Sequence, residues 1–151
     1  MKNLLITIIA TLAAMPASGT ASSSSAYSWA ETLEAIRQVE TGGCPNEGRG
    51  ARGDGGNAIG PFQVWRIYHT DAAERDRSLT DYRRCLDSMD YSRRVVRAYM
   101  SRYARAELGR LEAGRGSLAD VEKVARIHNG GPKGHRKSAT DGYWAKVRRA
   151  L

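Results

Sequence analysis

The sequence predicts an α+β domain that is mainly α, with a small irregular β element beside a cleft. Three observations lead there. Apolar residues recur at helical spacing along most of the chain, and two of those stretches open on capping boxes. The one long interruption, residues 42 to 57, is mostly glycine and charge. About 130 residues remain once an export segment is set aside, which suits one domain with a single modest core.

Residues 1–21 have the pattern of a signal peptide. Met1-Lys2-Asn3 is a short positive start, Leu4 to Met15 is an apolar run, and Gly19-Thr20-Ala21 offers small residues for cleavage. The run is too short to span a bilayer. Residues 22–27 follow as a spacer, and the domain occupies 28–151. Export places the product in the periplasm or outside the cell. No later stretch is apolar enough for stable membrane insertion.

The formal charge is +8, and loss of Lys2 lowers it to +7. Such a balance favours anionic partners: nucleic acid, acidic lipid or a bacterial wall. Export argues against nucleic acid. Cys44 and Cys85 are the two cysteines, in a chain bound for a compartment where disulfides persist. Paired, they close a loop of about 42 residues, worth roughly 4 kcal/mol, and pin the glycine-rich loop to a distant segment. Two buried free thiols are the alternative. No zinc-like Cys/His spacing occurs, so no metal and no cofactor are expected.

Ser28-Trp29-Ala30-Glu31 is a capping box that starts the first helix at Ser28. Trp29, Leu33, Ile36 and Glu40 then share one face, and Gly42-Gly43 stops the helix. Ala58 to Val64 suits a brief strand and turn, and a second helix is expected from Val64 to about Arg75. Leu79 to Ser88 is ambiguous. The longest helix is expected from Met89 to Leu108, with Val95, Val96, Tyr99, Met100, Tyr103 and Leu108 inward. Gly114-Arg115-Gly116 breaks the chain, and Ser117 to Asp120 opens another helix in capping-box style. Its inner positions are Leu118, Val121, Val124, Ala125 and His128, and Asn129-Gly130-Gly131-Pro132 ends it. Thr140 is a plausible N-cap for a last short helix with Trp144, Val147 and Leu151.

Two carboxylates on either side of a flexible connection are what glycosidic cleavage needs. Glu40, in a last helical turn beside the apolar stripe, is the candidate general acid. The negative pole of the helix disfavours its ionisation by roughly 0.3–1 kcal/mol. Lifting a glutamate from about 4.3 to about 6 takes roughly 2.3 kcal/mol, so partial burial must supply the rest. Asp54, among glycines and open to water, suits an ionised nucleophile or a stabiliser of positive charge. Glu47 competes for that role in the same loop. His128-Asn129-Gly130 either hydrogen-bonds an N-acetyl sugar or simply caps a helix. Tyr68, His69, Tyr99, Tyr103, Tyr143 and Trp144 supply aromatic surface, most of it for the core.

In order and spacing these segments resemble the invertebrate-type lysozymes, also called destabilases. The resemblance runs over residues 36 to 147. It rests on Val39-Glu40-Thr41-Gly42-Gly43-Cys44, Arg52-Gly53-Asp54-Gly55-Gly56 and Gly60-Pro61-Phe62-Gln63-Val64. It continues through Tyr68 and Asp71, Ala98 to Ala104, Ala125 to Gly134, and Gly142-Tyr143-Trp144. It implies a lysozyme-like fold and hydrolysis of the β-1,4 bond between N-acetylmuramic acid and N-acetylglucosamine of peptidoglycan; a monomer is expected. It also implies that Glu40 donates the proton and Asp54 is the second carboxylate. Sugar contacts would fall on Gln63, Tyr68, His69, Asp71, His128, Asn129 and Gly130. The chain departs from the cysteine-rich animal members, with Tyr91 and Val95 where those carry cysteine. Asn57 and Trp65 stand in the neighbourhood where some members carry a serine and a lysine linked to isopeptide cleavage, so that activity is not expected. Two rivals remain: a lytic transglycosylase on a similar fold, and a non-catalytic cationic module that binds walls.

Overall fold

Ser28 opens helix α1 (Trp29–Thr41) through the expected capping box. Its Oγ accepts from Glu31 N at 3.2 Å while Glu31 Oε2 accepts from Ser28 N at 2.8 Å. The structure is a computed structural model that describes residues 26–151. The expected signal peptide and most of the spacer lie outside the described residues. The spacer's last residue already pairs: Tyr27 exchanges two backbone hydrogen bonds with Gly116, of 2.8 and 3.0 Å.

Between α1 and the next helix lies a three-stranded antiparallel sheet, β1 (Arg52–Gly53), β2 (Ala58–Ile59) and β3 (Val64–Trp65). Its register places Gly53, Ala58 and Trp65 in one row, and Arg52, Ile59 and Val64 in the other. Adjacent strand residues point to opposite faces, so the two rows serve two sides of the sheet. Gly60 turns β2 into β3 at φ +74°. A Cβ there would collide with the Cys85 carbonyl, so both the conformation and the space require glycine.

Helix α2 (Arg66–Ala73) is shorter than expected because Val64 and Trp65 are taken into β3. The ambiguous segment contains one helical turn, α3 (Arg84–Asp87). The long helix predicted from Met89 to Leu108 is in fact two. Helix α4 (Met89–Tyr103) ends at Ala104, whose φ of −143° and ψ of 41° are not helical, and α5 (Arg105–Glu112) resumes at a new angle. Ala104 is buried, and the bend lets both Leu108 and Leu111 enter the core that α1 and α6 share.

Helix α6 (Leu118–Gly130) has the predicted capping box from Ser117 and Asp120, and Gly131 ends it at φ +79°. Helix α7 (Asp141–Ala150) begins after Thr140, but that hydroxyl does not cap it. It lies near the carbonyls of Gly134 and Lys137 and accepts from Arg126 Nε at 2.9 Å, so it fastens the preceding loop instead. Leu151, expected in this helix, follows it and is exposed. Val147 does reach the core.

One apolar cluster joins all of this: Ile36 from α1, Val95 and Val96 from α4, Leu111 from α5, Val124 and Ile127 from α6, and Phe62 from the β2–β3 turn. Burying each such side chain contributes about 1.5–3 kcal/mol. Helix α7 packs across α1, which brings the chain's C-terminal aromatics to the end of the first helix.

The expected disulfide is not formed. Cys44 is an exposed free thiol, and Cys85 is a free thiol wholly buried in α3, where burial pushes its pKa up to about 12. The loop is tied to the α3 segment by hydrogen bonding instead: Gly50 N donates to Leu86 O at 2.8 Å. Among the described residues no helix is long and apolar enough to cross a membrane. No cluster of three His, Cys, Asp or Glu suited to a metal ion occurs among them either.

Candidate active site

Glu40 stands in the last turn of α1, with its side chain 17% exposed. Its Oε1 accepts one hydrogen bond, from Tyr143 Oη of α7 at 2.7 Å. Burial raises the carboxyl to about 7, against smaller opposing effects from the Tyr143 hydroxyl and the Lys146 charge. The residue therefore keeps its proton in much of its population near neutral pH, which is the state a general acid needs.

His128 borders the same carboxyl, with Nε2 at 3.6 Å from Glu40 Oε1. This is not an ion pair. Burial pushes the imidazole down to about 4, so it is neutral near pH 7. Its partners fix the tautomer, because a carbonyl can only accept. Nε2 donates to Phe62 O at 3.1 Å, and Nδ1 accepts from Tyr68 Oη at 3.2 Å. Glu40 is thus flanked by a neutral ring rather than a cation, which preserves its high pKa.

Asp54 lies across the cavity, in the turn after β1, at φ +53° and exposed to solvent. Its carbonyl accepts from Asn57 N at 3.2 Å and Asn57 Nδ2 at 3.0 Å, which holds the turn. Glu40 and Asp54 both line a polar cavity of about 300 Å³ whose floor includes Ala58, Gln63 and Trp65. The sheet register explains the floor: Ala58 and Trp65 belong to the row that faces this side. Gln63 is held at φ +45°, with Nε2 donating to Gly60 O at 2.9 Å. Glu47, the competing acid, pairs with Arg49 at 3.3 Å and does not line this cavity.

A second, more apolar cavity of about 380 Å³ shares Trp65, His128 and Asn129 with the first, so the two form one groove. Tyr68 and Asp71, three residues apart on α2, share the face that lines it. Tyr68 stacks on Tyr99, with ring centroids 3.6 Å apart, and Asp71 accepts from Tyr103 Oη at 2.8 Å. The groove thus offers an apolar aromatic wall and a carboxylate along one side. An amide and a proton donor stand at its centre.

Two of the expected sugar contacts do not line the groove. His69 is buried, with Nε2 2.9 Å from Tyr91 Oη and its ring against Tyr82. One residue after Tyr68, it is turned about 100° around α2 and so faces α4 and the α3 segment. Gly130 sits in the last turn of α6, where a Cβ would press on the Thr140 methyl. Its carbonyl accepts from Lys137 Nζ at 2.7 Å, so its part is close packing. Two residues important here were not assigned to the site from sequence. Tyr143 reads in the sequence only as one of six residues of aromatic surface, yet it is the hydrogen-bond partner of Glu40. Trp65 lines both cavities and is 44% exposed, unusual for so large an apolar side chain and a signal only once structure is known.

Residues 30–150 match the destabilase family. Lysozyme 1 of Crassostrea virginica is 38% identical over 91 residues, which cover 60% of this chain and 44% of that protein. A lysozyme of Ostrea edulis is 35% identical over 117 residues, 77% of this chain and 76% of that one. Among solved structures, the crystal structure of Tapes japonica lysozyme superposes with a TM-score of 0.59 at 31% identity. That match covers 79% of this chain and 87% of the other.

Proposed function

The chain belongs to the destabilase family, and from that premise we propose that it is a muramidase. It hydrolyses the β-1,4 bond between N-acetylmuramic acid and N-acetylglucosamine in peptidoglycan. One observation carries the reading: a buried carboxyl that holds its proton near neutrality shares a groove with an exposed carboxylate. In this reaction Glu40 protonates the glycosidic oxygen as the bond breaks. Asp54, on the other side, stabilises the positive charge that develops on the sugar, as nucleophile or as counter-charge. Glu40, now ionised, takes a proton from the water that completes hydrolysis. Tyr143 steadies the carboxylate in that interval. Sugar rings lie along Trp65 and Tyr68, with Gln63, Asp71 and Asn129 as polar contacts. The enzyme acts as an exported monomer without cofactor, and its +7 charge draws it to the anionic wall.

Product analysis on purified peptidoglycan tests the proposal. Hydrolysis leaves muramic acid at new reducing ends. Anhydromuramic ends would assign the chain to the transglycosylases, and killing without any wall clearing would reduce it to a cationic wall binder.

A further inference from the structure

The sheet has a second side. Arg52 and Ile59, from the row that faces away from the groove, line a cavity of about 440 Å³ behind it. Arg66, first residue of α2, and Arg83, just before α3, reach the same cavity. Three arginines from three separate segments thus line one space, with Asp87 the one carboxylate residue on its wall. Among the described residues none of the three arginines forms an ion pair, a state they share with Arg75, Arg105 and Arg148 among others. Residues 1–25 contain no Asp or Glu, so they bring no side-chain carboxylate to this site.

The cavity is held in shape. Tyr82 Oη lies 3.0 Å from both Asn57 O and Val64 O, which locks the phenol to the sheet. The Arg66 guanidinium lies over the Tyr82 ring at 4.5 Å from its centre. That stacking fixes one face of the guanidinium and leaves its N–H edge available to a ligand. Planar guanidiniums with free edges pair best with oxyanions. One guanidinium already satisfies the two in-plane oxygens of a carboxylate. A phosphodiester likewise offers two non-bridging oxygens, so several arginines around one space suit a ligand that repeats its oxyanion along a chain.

We infer that this cavity is an anion site for the phosphodiester groups of a polymer attached to the bacterial wall. It would dock the enzyme on substrate that carries such a polymer. The wall as source rests on the muramidase reading; the phosphate chemistry does not. Trp65 and Arg66 are neighbours in the chain, one on each side of the sheet. A polymer held at Arg66 therefore lies beside the groove without entering it.

Calorimetric titration of the whole protein with poly(glycerol phosphate) oligomers tests this directly. Arg66→Gln and Arg83→Gln should each weaken binding about tenfold, the size expected for one charge-assisted contact. Arg148→Gln/Arg149→Gln, which removes two charges from the far end of α7, should bind as the wild type does. Equal loss in that control, or no loss in either cavity variant, would overturn the site, because only net charge would then matter. Tighter binding to poly(glutamate) or to a single-stranded oligonucleotide would overturn the wall phosphodiester as ligand. Arg83→Gln makes no packing contact comparable to that of Arg66 and keeps the test valid if Arg66→Gln unfolds. On peptidoglycan stripped of the polymer, Arg83→Gln should clear walls at the wild-type rate, and it should lag severalfold on polymer-bearing walls. Failure of the wild type to clear either wall would sink the muramidase reading while leaving the titration to judge the anion site.

Discussion

Glu40 and Asp120 are both helix-end carboxylates with little solvent, 17% and 7% of the side chain exposed, yet they are driven in opposite directions. Asp120 sits in the first turn of α6, at the positive pole. Both its oxygens accept from Arg110, at 3.0 and 2.5 Å, and Ser117 donates from its backbone and its hydroxyl. Those hydrogen bonds, Arg110 first, hold it at about 2. Glu40 sits in the last turn of α1, at the negative pole, with one phenol and a neutral imidazole for company, and burial lifts it to about 7. Burial alone does not create an acid that keeps its proton. It does so where no cation hydrogen-bonds the carboxyl and the nearest charge, Lys146, only weakly offsets the burial.

The largest effect expected from this contrast is on turnover. Glu40→Gln should lower kcat about 10³-fold, within the range for loss of a positioned general acid, while the groove keeps its shape. Reducing-end assays on peptidoglycan measure it, and a variant retaining a tenth of wild-type activity would break the assignment. The same substitution should change how stability depends on pH. Glu40 titrates higher folded than unfolded, so its contribution is full below about 4.5 and is lost as pH rises through about 7. His128 titrates lower folded than unfolded. Its contribution is full above about 6.5 and is lost as pH falls through about 4. The two windows overlap with opposite sign. In the wild type they partly cancel between about pH 4.5 and 6.5. Glu40→Gln leaves His128 alone, and stability should then rise through that window, with a gain on the order of 3 kcal/mol over the wild type at pH 8. Urea melts across pH would show it; parallel curves for the two proteins would refute it.

How much of this was legible beforehand follows from which forces were local. The position of Glu40 could be read because Ser28 and Glu31 set the start of α1 and Gly42-Gly43 its end, all within a few residues. Its partner Tyr143 could not, because the hydrogen bond joins residues 103 apart through the packing of α7 on α1. The break at Ala104 carries no glycine or proline to announce it. Alanine favours helix, and only the route of Leu108 and Leu111 into the core overrides that preference. His69 is a different miss. The resemblance assigned it to the groove, although helix phase sets it about 100° away from Tyr68. Compartment and cysteine count suggested a disulfide, but neither carries the orientation of Cys85, whose thiol is wholly buried. The groove's long-range half was therefore the part hidden from sequence.

Asp120 offers the converse test, with a smaller expected effect. Asp120→Ala removes one half of the α6 capping box and both acceptors of Arg110, and should destabilise the fold by about 2 kcal/mol. Activity per folded molecule should stay within about twofold, because no part of Asp120 reaches the groove. A drop in kcat at unchanged stability would mean that the two carboxylates are coupled, and that their contrast is not one of local partners.

Tyr143→Phe asks for the smallest effect and probes the comparison most closely. The phenol donates to Glu40 and so favours the ionised carboxylate, opposing the burial that favours the acid. Without the hydroxyl, the burial effect is less opposed and the carboxyl should titrate higher. A hydrogen bond of this kind is worth about 0.5–1.5 kcal/mol, so the displacement should be about one pH unit or less. The alkaline limb of the pH–activity profile, which reports loss of the Glu40 proton, should move upward by that amount. Activity at the optimum should fall as well, since the carboxylate formed during bond cleavage has lost its one stabilising donor. A limb that stays in place would mean the phenol does not govern Glu40. A limb that moves down would mean the hydroxyl had been accepting from the protonated carboxyl, with Tyr143 favouring the acid form alongside burial.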